Sequence, residues 1–382
     1  MKKNRLLFVT DYYLPGYKAG GPVKSVSSLC TNLKDIFNIG VVTSNSDFGN
    51  ALPYSNLEYD KFVKKNGYHI MYLSKFNILS IKNIVDSFSP NIIYLNSFFS
   101  RFTQTILLLN AMKLIKSKII LAPRGELSQG ALSIKGNKKR LFLTMFKLLN
   151  FCKHNVIFHS TDKIETRDIR TLFLNECYCI PNLTNELNEK LPNKKKIKGK
   201  LKVIFLSRIS RKKNLLFALQ VFKKYRCDHE EKVNFDIYGT LEDKTYWAEC
   251  QYFISSAKMD VEIMYKGAIE PKNIPKILCQ YHLFFLPTKN ENFGHAIVEA
   301  MQSGVLPLIS DQTPWNDITD RRVGWALNLN NKQEFLIAIK EVLSYSQDDF
   351  LIKSNGIRNY INQKLDNSRF VQSYIEMFND TF

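Results

Sequence analysis

The chain has 382 residues, of which 45% are hydrophobic and 23% are charged. This length favours two domains over a single hydrophobic core, and this composition excludes a disordered chain. The 54 lysines and arginines against 35 aspartates and glutamates leave a net charge of +19, which favours phosphates, nucleic acid or anionic lipid as partners without choosing among them.

Neither a membrane span nor a secretion signal is visible. No apolar run reaches the roughly 20 residues that cross a bilayer. The opening residues lack the apolar core and the cleavage site of a signal peptide. We therefore expect a cytoplasmic protein.

The first half of the chain alternates short, β-branched apolar runs with longer amphipathic segments. This alternation predicts a parallel α/β sheet with its helices between the strands. The predicted strands lie at 6–10, 39–43, 92–96, 118–122 and 156–159.

A glycine pair follows the first predicted strand. Gly20 and Gly21 close the loop, and a helix with Pro22 in its first turn begins there. Adjacent glycines before a helix suit the close approach of a phosphate group, although most glycine-rich turns are only turns.

A basic amphipathic helix is predicted at 137–153. Two interpretations stay open: the helix lies on an anionic membrane, or it is buried between two lobes. Its basic and apolar residues are Lys138, Lys139, Arg140 and Lys147, and Leu141, Phe142, Met145, Phe146 and Leu149.

The apolar periodicity stops at 185–200, where proline, asparagine, glycine and lysine accumulate. We place the linker there, between an amino-terminal domain at 1–188 and a carboxyl-terminal domain at 200–365. The lysine run that begins at Lys194 is interpreted as a solvated linker rather than a binding tract. A last helix at 366–382 carries its apolar residues on one side and can cross back to the first domain.

Beyond the linker the strand pattern restarts, with predicted strands at 203–207, 233–238, 261–265, 283–287 and 305–310. A basic turn follows the first of them. There Arg208 can grip phosphate oxygens in a bidentate manner, and Lys213 can supply a compact point charge. Because two fixed cations can replace a metal ion, we expect no metal and no Mg²⁺ requirement.

The segment 283–304 predicts a buried strand, a polar loop and then a helix that begins near Asn292 or Phe293 and stops at Gly304. Asn292 is a plausible N-cap. The first-turn amides of Phe293, Gly294 and His295, together with the helix dipole, would then bind a phosphate.

Two carboxylates accompany this phosphate site. Carboxylates repel phosphate but accept hydroxyl protons, so Glu291 can hold sugar hydroxyls and Glu299 the diol of a ribose. The alternative for a lone glutamate is that it only stabilises the start of the helix.

These motifs resemble glycosyltransferase family 4, whose members are retaining enzymes of the GT-B architecture. Glu291 and Glu299 resemble the family's glutamates separated by seven residues, Arg208 and Lys213 its diphosphate-binding pair, and Gly20–Gly21 its glycine loop. The stretches APRGEL at 122–127 and TPW at 313–315 resemble bacterial polysaccharide-assembly members in particular. Two departures concern the base pocket: Ser207 and the stretch 239–241 replace glycine patterns that are common in the family.

The resemblance implies an α/β protein with two Rossmann-like domains whose parallel sheets face each other across a cleft. The carboxyl-terminal domain would bind a nucleotide diphosphate-sugar, with UDP as the expected carrier, and the amino-terminal domain a saccharide acceptor. The reaction would retain the anomeric configuration. The implied acceptor is a lipid-linked glycan in O-antigen or capsule biosynthesis, and neither a cofactor nor a nucleic-acid partner is expected. The basic helix at 137–153 predicts peripheral contact with the anionic membrane at its cytoplasmic face.

The implied catalytic residues are Glu291, Arg208 and Lys213. Arg124 can line the acceptor side, or it can serve as a structural ion-pair partner. A sugar-nucleotide epimerase of the same fold and a basic nucleic-acid-binding protein are the alternative functions. The implied substrate-binding residues are Gly20, Gly21, Arg124, Asn292, Phe293, Gly294, His295 and Glu299.

Overall fold

The computed structural model describes residues 3–128, 131–132, 136–148, 151, 155–184, 194–228 and 230–381. The chain divides into two compact units. Unit 1 comprises Met1–Asn185 and Asn367–Phe382, and unit 2 comprises Glu186–Asp366. Each unit contains a sheet with helices between its strands, which confirms the predicted α/β fold class.

Unit 1 contains an eight-stranded sheet in the order β3-β4-β2-β1-β5-β6-β7-β8. Neighbouring strands are parallel except for the antiparallel pair β3–β4. The strands are β1 Arg5–Val9, β2 Asn38–Ser44, β3 Val63–Lys65, β4 Tyr68–Leu73, β5 Ile92–Asn96, β6 Lys118–Ala122, β7 Val156–Ser160 and β8 Cys177–Cys179.

The inner strands of unit 1, such as β1 and β5, read as continuous apolar runs because both faces of the sheet are covered there. Leu7 and Val9 of β1 pack into one core, and the alternate residues Leu6 and Phe8 pack into the other. The helices before the linker are α1 Gly21–Leu33, α2 Ile78–Phe88, α3 Arg101–Ala111, α4 Gly136–Leu148 and α5 Lys163–Leu172.

Unit 2 contains a six-stranded parallel sheet in the order β11-β10-β9-β12-β13-β14. Its strands are β9 Lys200–Leu206, β10 Lys232–Tyr238, β11 Glu262–Gly267, β12 Leu283–Leu286, β13 Leu306–Ser310 and β14 Trp325–Leu327. Its α-helices are α6 Leu215–Lys224, α7 Lys244–Ser256, α8 Ile274–Leu278, α9 His295–Gln302, α10 Lys332–Ser344 and α11 Gln347–Lys364.

The last helix, α12 Asn367–Asp380, belongs to unit 1. Its residues Tyr374, Met377 and Phe378 are fully buried in the core that also contains Leu6 and Phe8. The chain therefore returns to its first unit after completing the second.

Each sheet has one point at which the strand order reverses. In unit 1 the strands that follow β1 lie on one side of it, and those that follow β5 lie on the other side of the sheet. In unit 2 the strands that follow β9 and those that follow β12 diverge in the same way. In open α/β sheets, ligands bind outside the carboxyl ends of the strands at such a switch point, where neighbouring loops diverge. The loops after β1 and β5, and those after β9 and β12, are therefore the places to look for function.

Helix α4 uses its apolar residues for the core. Leu143 and Phe146 are buried, and Phe142 packs against the same cluster, so this side of the helix is not available to a membrane. Leu141 is 64% exposed. The side chains of Lys138, Arg140 and Met145, and the parts of the predicted helix at 149–150 and 152–153, lie outside the described residues.

The lysine run is not a solvated linker throughout, which corrects the prediction from sequence. Lys194 and Lys196 are buried. The Lys194 ammonium donates to the carbonyl of Ser303 (2.8 Å) just after α9, and that of Lys196 donates to the carbonyls of Leu343 (3.1 Å) and Tyr345 (3.2 Å) at the end of α10. Both lysines thus satisfy carbonyls that helix ends leave without partners.

Lys194→Met should change how stability depends on pH. Burial, together with the Arg358 charge, lowers the pKa of Lys194 to about 7, against an unfolded value near 10.5. The unfolded state therefore binds more protons between these values, and this lysine contributes more stability as pH rises.

We expect the wild type to gain about 1 to 2 kcal/mol relative to Lys194→Met between pH 7 and pH 9, measured by urea unfolding. Lys195→Met, at an exposed neighbouring position, is the control. A pH-independent difference between the wild type and Lys194→Met would contradict the prediction.

Candidate active site

The loops after β9 and β12 meet at the switch point of unit 2. Lys212, in the turn after β9, accepts hydrogen bonds on its carbonyl from the Lys289 amide (2.8 Å) and the Thr288 hydroxyl (3.2 Å) of the loop after β12. The loop after β13 joins them, since the Glu291 amide donates to the Gln312 carbonyl (3.0 Å). Three adjacent strands therefore end in loops that are bonded to one another.

Two of the three predicted catalytic residues are in direct contact. The ammonium of Lys213 binds Oε1 of Glu291, and each side chain is only 11% exposed. An ion pair with so little exposure is held firmly in place, because either charge without the other would be costly to bury. The structure therefore brings Lys213 and Glu291 into contact, although they are 78 residues apart in the sequence.

Arg208 is half-buried, and its Nη1 lies 2.9 Å from Oε1 of Glu242. Glu242 follows β10, the neighbour of β9, and the sequence analysis did not name it. Its position four residues after a predicted strand end is the signal that could have found it, because the carboxyl ends of parallel strands lie at one edge.

The positive charge is concentrated in this turn. Burial and the adjacent charge of Lys213 lower the pKa of Lys212, and Arg208 lowers it further, while Glu291 and Glu242 act in the opposite direction. Cations that crowd one another in a partly buried turn create a positive potential, which suits an anionic ligand.

Helix α9 begins later than the sequence predicts. Its N-cap is Gly294, in a left-handed conformation with φ 77°, and its first residue is His295, so Asn292 is not the N-cap. The first amide with a helical acceptor is that of Ile297, which donates to the Gly294 carbonyl (2.9 Å). The amides at the amino-terminal end of α9 are therefore those from Gly294 to Ala296 rather than from Phe293 to His295.

Phe293 is buried because Trp315 fixes it. The Trp315 indole donates to the Phe293 carbonyl (2.6 Å), and their rings meet edge to face with centroids 5.7 Å apart. The His295 ring lies 4.8 Å from the Phe293 ring. The TPW stretch thus has a positioning role: its tryptophan holds the peptide that leads into α9.

Glu299 lies inside α9 and is half-buried, eight residues after Glu291. Its predicted role at a ribose diol stays a prediction.

In unit 1, the glycine pair has the predicted relation to its helix. Gly20 is the N-cap of α1 with φ 72°, and Pro22 lies in the first turn. A methyl group at Gly20 would meet nothing within 4 Å, so the left-handed backbone, not crowding, is what favours glycine here. The Asp47 carboxylate holds the preceding loop by accepting from the amides of Tyr17 (3.0 Å) and Lys18 (3.2 Å).

Arg124 has neutral partners. Its guanidinium donates to Asn96 Oδ1 (2.8 Å), to the Tyr94 hydroxyl (2.8 Å) and to Asn182 Oδ1. These contacts join the ends of β5 and β6 to the segment after β8, so they support a structural role, although not the ion pair that the sequence suggested. A contact between Arg124 and an acceptor stays a prediction.

Within the described ranges, no group of three or more histidines, cysteines, aspartates and glutamates could hold a metal ion. None of the helices described there is both long and apolar enough to cross a membrane.

Comparisons with known proteins give a family match for part of the chain and a related sequence. Residues 188–359 match the family model described as "Glycosyl transferases group 1". An uncharacterized 41.2 kDa protein in the cps region of Klebsiella pneumoniae is 23% identical over 328 residues, covering 82% of this chain and 85% of that protein.

Several solved structures share the fold over the whole chain. Anabaena HepE, in complex with UDP and glucose, is 15% identical with a TM-score of 0.69, covering 99% of this chain and 100% of that one. Sucrose-phosphate synthase from Thermosynechococcus elongatus is 12% identical with a TM-score of 0.75, covering 99% of each chain. WaaG, a glycosyltransferase involved in lipopolysaccharide biosynthesis, is 10% identical with a TM-score of 0.69, covering 97% of this chain and 99% of that one. The chain therefore has the two Rossmann-like units of the GT-B fold, and its residues 188–359 match the group 1 glycosyltransferases.

Proposed function

We propose that this protein is a glycosyltransferase that moves a sugar, with retention of configuration, from a UDP-sugar to a saccharide acceptor. The observation that carries the proposal is the set of charges at the switch point of unit 2: Lys213 against Glu291, with Arg208 in the same turn. The UDP complexes of HepE support the choice of nucleotide.

The cations would act on the departing diphosphate. Lys213 has three N–H donors, so it can contact a phosphate oxygen while it keeps Glu291. As the bond between the anomeric carbon and the diphosphate breaks, Lys213 and Arg208 would neutralise the charge that develops on the phosphate oxygens. The amino-terminal end of α9 adds the positive end of a helix dipole.

Glu291 would orient the sugar rather than attack it. Its carboxylate can accept hydrogen bonds from neighbouring sugar hydroxyls while it stays paired with Lys213. The acceptor hydroxyl would lose its proton to the leaving phosphate on the same face of the sugar. This path accounts for retention without a covalent intermediate, and it needs no Mg²⁺.

We further propose that the acceptor is a lipid-linked glycan of a surface polysaccharide. The Klebsiella relative lies in a cps region, and WaaG acts in lipopolysaccharide biosynthesis. The net charge of +19 is consistent with peripheral contact of the protein with an anionic membrane.

The proposal predicts that UDP stabilises the protein in the presence of EDTA. A ligand at 100 times its Kd adds about 2.7 kcal/mol, which corresponds to about 5 to 10 °C in a domain of this size. A thermal-shift panel of UDP, GDP, ADP and their sugars measures this.

Saccharide acceptors and NMR of the product then test the reaction and its stereochemistry. No shift with any nucleotide would overturn the proposal. A changed sugar on the nucleotide without any acceptor would favour the epimerase.

A further inference from the structure

The switch point of unit 1 also carries a charged residue. Asp11 follows β1, and Ser100 ends the loop after β5, the neighbouring strand on the other side of the switch. The Ser100 hydroxyl donates to Oδ1 of Asp11 (2.7 Å), so this bond spans the crevice between the two loops. The position matches that of the Lys213–Glu291 contact in unit 2.

One oxygen of Asp11 is left for a ligand. The residue is half-buried, and Oδ2 makes no hydrogen bond to any of the described residues. A carboxylate oxygen can accept two hydrogen bonds. Burial raises the pKa of Asp11, while Ser100 and the nearby Arg101 charge lower it, so the carboxylate is held partly desolvated beside one cation.

The loop after β5, which contains Ser100, is held by side-chain hydrogen bonds. Ser97 and Arg124, at the ends of the adjacent strands β5 and β6, are non-glycine residues with φ of 88° and 58°. Glu126 fixes the first of these loops by accepting from the Ser97 hydroxyl (2.8 Å) and from the amides of Phe98 (2.7 Å) and Phe99 (3.0 Å). Unfavourable backbone conformations that persist because the surroundings impose them are found mainly at functional sites.

A purely structural role of Asp11 explains less. Ser100 is the N-cap of α3, where its Oγ accepts a hydrogen bond from the Phe102 amide (3.1 Å). The same hydroxyl donates its own hydrogen bond to Asp11. That role uses Oδ1 alone. It gives no account of Oδ2, which makes no hydrogen bond to any of the described residues, and an asparagine would fill that role as well.

We propose that Asp11 binds the acceptor sugar, with Oδ2 accepting hydrogen bonds from one or two of its hydroxyl groups. This inference rests on the proposed transfer reaction and assigns the acceptor's hydroxyls to the switch point of unit 1. Asp11 would therefore help to determine which saccharides are accepted.

The substitution Asp11→Asn separates the two roles. The asparagine carbonyl keeps the bond from Ser100, while an N–H donor replaces Oδ2. With a UDP-sugar donor and a panel of p-nitrophenyl hexosides as acceptors, we expect kcat/KM for the acceptor to fall about 10- to 100-fold. The Kd for UDP and the melting temperature should stay at their wild-type values.

Ser100→Ala is the matched control. It removes the bond to Asp11 and the cap of α3, so the melting temperature should fall by a few degrees. Acceptor kcat/KM should change less than about threefold, because Oδ2 remains. Asp11→Glu, which keeps the charge but displaces it by one methylene, should alter the order of preference among the hexosides.

Wild-type acceptor kinetics in Asp11→Asn, or equal losses in Asp11→Asn and Ser100→Ala, would overturn the inference. If Asp11→Asn does not fold, an unchanged order of preference in Asp11→Glu overturns it instead. Either result, with UDP binding intact, leaves the proposed function in place. A wild-type protein that binds no nucleotide would remove both.

Discussion

Lys213→Met should lower kcat/KM for the donor about 10²- to 10³-fold, the size of effect seen when one fixed group that stabilises a developing negative charge is removed. It should also reduce the free energy of unfolding by about 3 kcal/mol. The second effect arises because Glu291, with its side chain 11% exposed, would keep a charge without its partner. Initial rates with a UDP-sugar and urea unfolding measure the two effects separately.

The double variant Lys213→Met/Glu291→Gln distinguishes function from stability. Without either charge the pair has no isolated ion to bury, so most of the lost stability should return. Transfer should stay low, because both the phosphate contact and the sugar contact are gone.

Glu291→Gln alone should mainly lower kcat. Lys212→Met, which leaves the Lys213–Glu291 pair in place, is the control for a change of charge in the same turn. If Lys213→Met keeps wild-type turnover and UDP affinity, the pair is only a structural ion pair.

The strands around both switch points could be predicted from sequence because their signal is local. Runs such as 203–207 and 283–287 are apolar, β-branched or aromatic, and bounded by polar loops, and the structure has strands at β9 and β12. The hairpin β3–β4 was missed although it had a signal. Asn66 and Gly67, with φ of 56° and 92°, form the asparagine-glycine turn that typically joins two short strands.

The start of α9 could not be predicted in the same way. Asn292 is a good N-cap residue, but Phe293 is drawn into the core by Trp315, 22 residues away, and the helix begins only after it. The burial of Lys194 and Lys196 has the same kind of cause, since the helix ends that they cap lie more than 100 residues away. Such contacts between distant segments override local preferences.

The partners of Lys213 and Arg208 also lie on distant segments of the chain. The family resemblance assigned Lys213 and Glu291 to one site. It gave no reason for them to touch, and it did not identify Glu242 as the partner of Arg208. The order of strands in the sheet, which decides which loops are neighbours, is not contained in any single segment.

Gly239 shows how closely these loops are packed. It follows β10, and its amide donates to the Gly267 carbonyl (2.9 Å), while the Ile209 amide donates to the Thr240 carbonyl (2.8 Å). A methyl group at Gly239 would lie 1.7 Å from the carbonyl oxygen of Ser207, the residue before Arg208. The backbone φ of 155° is also one that residues with a side chain rarely adopt.

Gly239→Ala should therefore reduce the free energy of unfolding by about 3 kcal/mol or more and weaken UDP binding. The Ser207 carbonyl must move to admit the methyl group, and Arg208 moves with it. Gly267→Ala is the control: its φ of 80° is also unfavourable for alanine, but nothing lies within 4 Å of the added methyl group, so only about 1 to 2 kcal/mol should be lost. Urea unfolding and UDP titration of both variants measure the difference. Equal stability and equal UDP affinity in the two would mean that the contact between Gly239 and Ser207 does not position Arg208.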